Sequence, residues 1–293
     1  TASQITPSIR EVDFVTQFQK NWDALRTILG IMRPIRKAPG TKLVSYKATV
    51  DGGLQGGTAV GEGEDIPLTK TKVEPVAYDD IELGKWAKAV SIEAVTKYGA
   101  TVAVERTDTA FRNELQKKVL TDFYTFLKTG KLVGTQKTWQ RALAIAKGAV
   151  LKRFANDNLD VTEVVGFANI MDFYDYLGDK EITVQTEFGL NYVKNFLGYS
   201  TLFLLPDAYI EQKKVIAIPV ENIDLYYVDP SDSDFAKLGL NYTVKGETNL
   251  IGVHVDGDYS RATGDMYAIM GMKLWAEYLD GIAVATVAAA AAG

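Results

Sequence analysis

The sequence predicts an α+β fold, and three features of its pattern support this prediction. Residues 108–129 place apolar side chains on one helical stripe, and residues 41–76 combine β-prone runs with a glycine-dense centre. Residues 201–228 contain three short apolar runs typical of buried strands. With 293 residues, 47% of them hydrophobic, the chain is long enough to bury one large core or two smaller ones.

The composition excludes several classes of function. The chain has no cysteine, so disulfides, thiolate catalysis and cysteine-bound zinc are excluded. Its single histidine, His254, leaves little basis for a catalytic triad or a multi-histidine metal site. The formal net charge of −5 provides no global positive field for nucleic acid. We expect no secretion signal in residues 1–10 and no membrane partner, because no apolar run reaches the ~18 residues of a membrane span.

The first 37 residues are predicted to form an arm containing one amphipathic helix. Within residues 12–29, apolar side chains recur at steps of three and four, at Val15, Phe18, Trp22, Leu25 and Leu29. Gly30 and Pro34 end the helix, and a basic cluster follows at Arg33, Arg36 and Lys37. Two alternatives are open: the helix packs on its own domain, or the arm lies on a neighbouring molecule.

Residues 38–77 are predicted to form an extended loop of two strands with a flexible tip. Six glycines lie between Gly52 and Gly63, and the segment contains few large apolar side chains. Such a segment buries little surface against its own domain, so it needs a partner surface or stays mobile.

The longest helix is predicted over residues 108–129, capped at Thr107 or Asp108 and ended by Gly130. Its apolar stripe comprises Phe111, Leu115, Val119, Phe123 and either Phe126 or Leu127. Residues 78–98 fit a strand or a helix equally well.

The rest of the chain is predicted to be an α/β mixture. Helices are expected at residues 137–154, 170–177 and 189–197, and strands at 161–167, 201–205, 215–220, 223–228 and 250–255. Residues 229–234 read as an exposed polar turn, and Asp280-Gly281 as a tight hairpin.

No group of residues in the sequence has the pattern of a catalytic, cofactor or metal site. His254, Asp256 and Asp258 alternate and could share one strand face, but a solvated strand end explains them better. The glycines of residues 52–63 lack the Gly-Lys-Ser/Thr ending of a phosphate loop. Glu62, Glu64 and Asp65 are typical of a solvated tip. We expect no enzyme activity and no cofactor.

Four short segments, in this order along the chain, resemble the major capsid proteins of tailed bacteriophages, which have the Hong Kong 97 fold. They are Gly-Glu-Gly-Glu-Asp-Ile-Pro at 61–67, Phe-Tyr-Thr-Phe-Leu-Lys-Thr-Gly at 123–130, Ser-Thr-Leu-Phe-Leu-Leu-Pro at 200–206 and Glu-Tyr-Leu-Asp-Gly-Ile-Ala-Val at 277–284. The likeness covers nearly the whole chain.

The resemblance implies a division of the chain into four parts. These are an N-arm (1–37), an extended loop (38–77), a peripheral domain with a long spine helix (78–132 and 249–293) and an axial α/β domain (133–248). It implies assembly in the bacterial host cytoplasm into an icosahedral or prolate shell, the virion capsid, around double-stranded DNA held without sequence-specific contacts.

The partners implied are further copies in hexamers and pentamers, a scaffolding protein and a portal during assembly, and in some relatives a decoration protein. The resemblance and the charge pattern together nominate residues for contacts between subunits: Trp22, Arg33, Arg36, Lys37, Glu62, Glu64, Lys70, Lys72 and Asp232. The loop 229–234 is a hypothesis for a segment that lines a capsomer centre.

Some relatives join subunits through a loop lysine and an asparagine. Lys70 and Lys72 lie on the returning side of the loop, but no partner asparagine or promoting carboxylate can be matched, so we predict no covalent cross-link. The sequence shows no coiled-coil-like leader, so either such a leader is removed or scaffolding is a separate protein.

Three other functions are compatible with parts of the pattern. The nearest is the shell of a bacterial nanocompartment of the encapsulin type, which encloses an enzyme instead of DNA. An α/β enzyme with a ligand site near residues 201–228 is a second alternative. A surface-layer or tail-tube protein is the third, but the helices predicted at 12–29 and 108–129 count against its all-β architecture.

Overall fold

A computed structural model of the chain confirms the α+β prediction. The structure describes residues 7–29, 32–41, 44–51, 53, 55, 60–61, 65–77, 80–178, 184–187, 190–220, 222–245, 248–276 and 278–288. In chain order the elements are α1 (Pro7–Leu29), β1 (Met32–Lys37), β2 (Val44–Asp51), β3 (Lys70–Ala77), β4 (Leu83–Ser91), α2 (Ile92–Tyr98), α3 (Ala100–Leu127), β5 (Lys131–Gln136), α4 (Trp139–Asn156), β6 (Val164–Asn169), α5 (Ile170–Leu177), β7 (Gln185–Glu187), β8 (Leu190–Phe196), β9 (Tyr199–Leu205), β10 (Lys214–Pro219), β11 (Ile223–Val228), α6 (Ser233–Lys237), β12 (Ile251–Asp258), β13 (Thr263–Ala276), a 3₁₀ turn (Leu279–Gly281) and β14 (Ala283–Val287).

A seven-stranded sheet lies between helices on both of its faces. Its strand order is β5-β14-β10-β6-β9-β8-β7. Side chains alternate along each strand, so Phe167 and Phe203 pack toward α3 while Ala168 and Leu204 pack toward α4 and α5. The rings of Phe167 and Phe203 stack with centroids 5.3 Å apart. Because helices cover both faces of the sheet, its central strands are buried on both sides, and their sequences are nearly continuous apolar runs.

A five-stranded sheet is organised around the long strand β13. Thr263–Ala276 pairs antiparallel with β4, β11 and β12, and β1 extends the sheet parallel to β11. The helix α1 packs on β12 and on α3. The core formed by α1 and α3 contains buried residues of both sheets, so the two sheets share one hydrophobic core.

The long helix α3 begins earlier than the sequence pattern predicts. The predicted stripe is confirmed, because Leu115, Val119, Phe123 and Leu127 are buried. The helix starts after Gly99, however, and Thr107, predicted as a cap, lies inside it with its hydroxyl bonded to the carbonyl of Ala103, 2.8 Å away. Its 28 residues extend about 42 Å at ~1.5 Å per residue.

Two local predictions were wrong. Residues 189–197 were expected to be helical but include β8, whose Leu190 and Tyr192 enter one core while Val193 enters the other. Burial on both faces removes the two-residue alternation that identifies a strand. Asp280-Gly281 is not a hairpin: it lies in the 3₁₀ turn that carries the chain from the five-stranded sheet to the seven-stranded one. The ambiguous residues 78–98 contain both β4 and α2.

The sheets and the predicted domain boundaries do not coincide at every strand. Strand β11 falls within residues 133–248 but pairs in the five-stranded sheet, and β14 falls within 249–293 but pairs in the seven-stranded sheet. Each sheet is therefore assembled from distant parts of the chain. The four-part division stays a prediction.

Candidate assembly surfaces

The β2–β3 hairpin is a two-stranded sheet of its own. Val44 pairs with Ala77 and Asp51 with Lys70, and among the described residues the two strands bond as a sheet only to each other. Val50 and Val73 are about half exposed, and on the returning side Ile66 is 75% and Leu68 87% exposed. A two-stranded hairpin is marginally stable in water without further packing, so its apolar side chains form a candidate contact surface.

One face of helix α1 in the arm, by contrast, packs on its own chain. Phe14, Val15, Phe18 and Trp22 are buried in the core beneath α1. Of the two alternatives for the helix, packing on its own domain is the one that the structure shows. Trp22 is 3% exposed, so its predicted contact with another subunit, which stays a prediction, would require α1 to move.

Two polar clusters hold α1 in place. Arg10 donates two hydrogen bonds of 2.7 Å to the carboxylate of Asp108 on α3, and Lys88 of β4 contacts the same carboxylate. Burial lowers the pKa of Lys88, and the hydrogen bond to Asp108 partly opposes this shift. Glu11 accepts hydrogen bonds from the hydroxyl of Thr243, at 2.6 Å, and from the backbone N–H of Val255.

The basic residues after α1 also have partners within the chain. Arg36 lies 3.2 Å from the carboxylate of Asp232 and 3.5 Å from that of Asp229, while Lys37 lies 5.1 Å from the ring centroid of Tyr226. Arg36 is nevertheless half exposed and accessible to a neighbour. The contacts predicted for Arg36, Lys37 and Asp232 with another subunit stay predictions.

The loop 229–234 is not the fully exposed turn that the sequence suggested. Asp229 is 4% exposed and accepts hydrogen bonds from Ser231 and Asn249. Burial alone would raise the pKa of Asp229, but these hydrogen bonds and the charge of Arg36 lower it overall. The loop follows β11, and Arg36 of β1 pairs with its Asp229 and Asp232, so it lies at an end of the five-stranded sheet. Its role at a capsomer centre stays a prediction.

The remaining predicted contact residues lie on the hairpin or outside the described part. Lys70 and Lys72 are exposed on β3. Glu62, Glu64 and the side chain of Arg33 lie outside the described residues.

Several exposed apolar side chains that the sequence pattern did not identify as contact residues lie at one end of the five-stranded sheet. They are Ile92, Tyr98, Val102 and Tyr259. Ile92 and Tyr98 lie on α2, a helix with no buried residue. Because the segment 78–98 matched both the helical and the strand periodicity, its sequence did not predict that α2 exposes apolar side chains.

The described residues show no constellation typical of a metal site or a membrane span. Nowhere in this part of the chain do three potential metal ligands among His, Asp and Glu lie together. His254 points its Nδ1 at Glu11, 3.3 Å away, and Asp258 is bonded to Ser260 and Arg261. None of the helices in the described ranges has the length and apolar character that crossing a bilayer requires.

Comparison with known proteins identifies the fold. No protein-family model matches the chain, and no curated protein matches it. Among solved structures, the encapsulin of the holo-SrpI complex from Synechococcus elongatus PCC 7942 aligns with a TM-score of 0.55 and 14% identity, covering 91% of this chain and 86% of that one. Mycobacterium phage Patience aligns with a TM-score of 0.56 and 9% identity, over 95% and 87% of the two chains.

A third similar structure is the mature capsid of bacteriophage PhiM1. Its TM-score is 0.54 at 8% identity, with 89% of this chain and 86% of that one covered. The three alignments extend over nearly the whole chain at identities that show the fold alone. The chain has the Hong Kong 97-type fold of phage major capsid proteins and encapsulins.

Proposed function

We propose that this chain is a structural shell subunit, the major capsid protein of a tailed bacteriophage. The observation that carries the proposal is the β2–β3 hairpin, which exposes Ile66, Leu68 and Val73 and pairs with no other described strand. Burying one such side chain contributes about 1.5–3 kcal/mol. A row of them on an extended hairpin supports docking onto another copy, in a chain that already has a shell-protein fold.

The proposed arrangement assigns a role to each part of the molecule. The five-stranded sheet and α3 form the peripheral part, and the seven-stranded sheet with α4 and α5 forms the axial part that faces a capsomer centre. The hairpin reaches a neighbouring subunit, so that each copy in a hexamer or pentamer both extends a hairpin and receives one. On this proposal the chain has no catalytic role.

The proposed content of the shell is double-stranded DNA. The mildly acidic chain, with a net charge of −5, supports containment without sequence-specific contacts, because tight phosphate binding needs a basic surface. The proposal places the protein in the virion capsid after assembly in the host cytoplasm, with a scaffolding protein and a portal as assembly partners and room for a decoration protein.

A nanocompartment shell is the second candidate. The encapsulin of the SrpI complex aligns about as well as the phage capsids do. Structural similarity therefore supports a nanocompartment shell about as strongly as it supports a phage capsid. The glycine-dense tip of the extended loop favours the phage capsid.

Negative-stain images and content analysis of particles from the natural source test the proposal. A phage capsid predicts shells whose DNA is protected from nuclease. Shells that contain a protein cargo and no DNA would identify the nanocompartment instead. A chain that stays monomeric at high concentration, with no closed particles, would contradict both shell functions.

A further inference from the structure

One end of the five-stranded sheet carries a protruding turn and, beside it, an apolar groove. The turn joins β12 to β13 and comprises Tyr259 to Ala262, and Tyr259 is 100% exposed. The groove has a volume of about 420 Å³ and lies between β4, α2 and the start of α3. Thr263, the residue after the turn, lines the groove, and the N–H of Ile92 donates to the carbonyl of Ala262 in the turn at 3.1 Å. Turn and groove therefore form one continuous surface.

The turn that presents Tyr259 is held by a dense set of hydrogen bonds. The carboxylate of Asp258 accepts from the N–H of Ser260 at 2.8 Å and from the Nε of Arg261 at 2.6 Å. Arg261 also donates to the buried Asp265, which accepts from the hydroxyl of Thr263 at 2.7 Å. Because the turn is already ordered, fixing the backbone at Tyr259 in a contact costs little conformational entropy. Exposed aromatic side chains of this kind are frequent centres of protein interfaces.

The groove beside the turn is largely apolar, and no side chain of the described residues fills it. Tyr98 is 57% and Val102 46% exposed at its walls, and Ala94 and Ala103 line it between them. Ile92, next to the groove, is also 57% exposed. A contiguous apolar patch of this kind on a soluble chain marks a contact surface.

We propose that this end of the sheet is a contact between copies, in which Tyr259 of one copy enters the groove of another. The inference rests on the proposed shell function and goes beyond it by naming a second interface, separate from the hairpin. A projecting aromatic and an apolar groove on one surface suit a contact between identical molecules, since each copy offers what the next one needs.

The charges around the turn and the groove are compatible with Tyr259 of another copy entering the groove. Asp258 and Arg261 neutralise each other beside Tyr259, so its ring can be desolvated without burying an isolated charge. The exposed Asp256 lies near the turn, while Lys97 lies at the groove, 5.1 Å from the ring centroid of Tyr98. Docking of one copy on another brings this carboxylate toward this ammonium group.

Cysteine cross-linking tests the contact, because the chain has no cysteine of its own. Two single variants, Tyr259→Cys and Val102→Cys, are mixed, assembled and oxidised. Both positions are exposed in the subunit, so the substitutions leave the fold intact. We expect disulfide-linked dimers containing one chain of each variant, at least about tenfold above the control, since a disulfide requires Cα atoms within ~7 Å.

The control pairs Val102→Cys with Leu238→Cys, at an exposed site that follows α6. A third mixture pairs Val102→Cys with Leu68→Cys of the hairpin segment. Strong 68–102 dimers in place of 259–102 dimers would show that the groove receives the hairpin, and would overturn the inference. Closed shells without 259–102 dimers would also overturn it while leaving the shell function standing. Absence of any shell from the unmodified chain would instead contradict the proposed function.

Discussion

The seven-stranded sheet and the β2–β3 hairpin differ in what covers them. Helices α3, α4 and α5 of the same chain bury both faces of the sheet, and Leu202 and Phe203 in its strand β9 are fully buried. The hairpin, in contrast, leaves Val50 and Val73 exposed, and Leu68 in the segment between its two strands is also exposed. From this difference we expect the seven-stranded sheet to supply most of the free energy of unfolding and the hairpin to contribute mainly when another surface covers it.

The largest effect is expected from shortening the loop that joins the hairpin strands. Deleting residues 52–63 should stop closed-shell formation, because the loop no longer reaches a neighbour, while the subunit keeps its melting temperature. Electron microscopy and thermal unfolding of the same preparation measure both quantities. Normal particles from the deletion variant would show that the extended loop does not connect subunits.

Substitutions in the core and in the hairpin segment should differ in their effect on the free energy of unfolding. Leu202→Ala should lower the free energy of unfolding by about 2–5 kcal/mol, because it leaves a cavity between well-packed side chains. The matched control is Leu68→Ala, which removes the same atoms from a side chain that is 87% exposed and should change subunit stability by less than about 0.5 kcal/mol. Denaturant unfolding of the two variants measures the difference. Equal losses would mean that the hairpin segment is packed within the subunit.

The arm is packed on its own chain in the structure but was predicted to contact another subunit. Substituting a residue of its ion pairs tests whether it stabilises the subunit or the assembly. Arg10→Ala removes the paired hydrogen bonds to Asp108 beneath α1 and should cost about 1–3 kcal/mol of subunit stability. The control is Lys118→Ala on α3, whose ion pair with Asp122 is largely exposed, with an expected cost below about 0.5 kcal/mol. If Arg10→Ala instead leaves the subunit unchanged and weakens assembly, the arm acts between subunits.

The smallest effect is expected for the pH dependence of the free energy of unfolding at the seven-stranded sheet, where Glu211 lies between β9 and β10. Hydrogen bonds from Lys214 and Lys128 lower the pKa of Glu211 from its ordinary 4.5 to about 2. The lowered pKa means that its stabilisation is present above pH ~4.5 and is lost as the pH falls toward ~2. The side chain is more than half exposed, so the contribution is below about 1 kcal/mol. Glu211→Gln should flatten the unfolding free energy over this interval, and an unchanged slope would contradict the assignment.

The sequence pattern predicted best those elements whose apolar residues form a clear stripe or an almost unbroken run. The stripe of α3 and the bounds of β11 and α5 followed from such patterns. The prediction failed at β8, where buried and exposed residues follow neither an alternation nor a continuous apolar run, and at Asp280-Gly281, where the chain changes sheets and a local turn motif carries no information about the next partner.

Candidate contact residues were harder to predict than the fold. Charged residues such as Arg36 and Asp232 were nominated, but the structure pairs them within the chain. The exposed Tyr259 and Val102 were missed, because a sequence shows that a side chain is apolar and does not show that it is uncovered. Exposure depends on tertiary contacts, which local periodicity does not contain.

In an assembled shell, we expect the β2–β3 hairpin to be covered by another copy. The decisive measurement is hydrogen–deuterium exchange of residues 66–77, compared between the free subunit and the assembled shell. Peptides from β6 and β9 serve as an internal control, with slow exchange in both states. We expect fast exchange of the hairpin in the free subunit and at least about tenfold slower exchange in the shell. Equal exchange in the two states would contradict it.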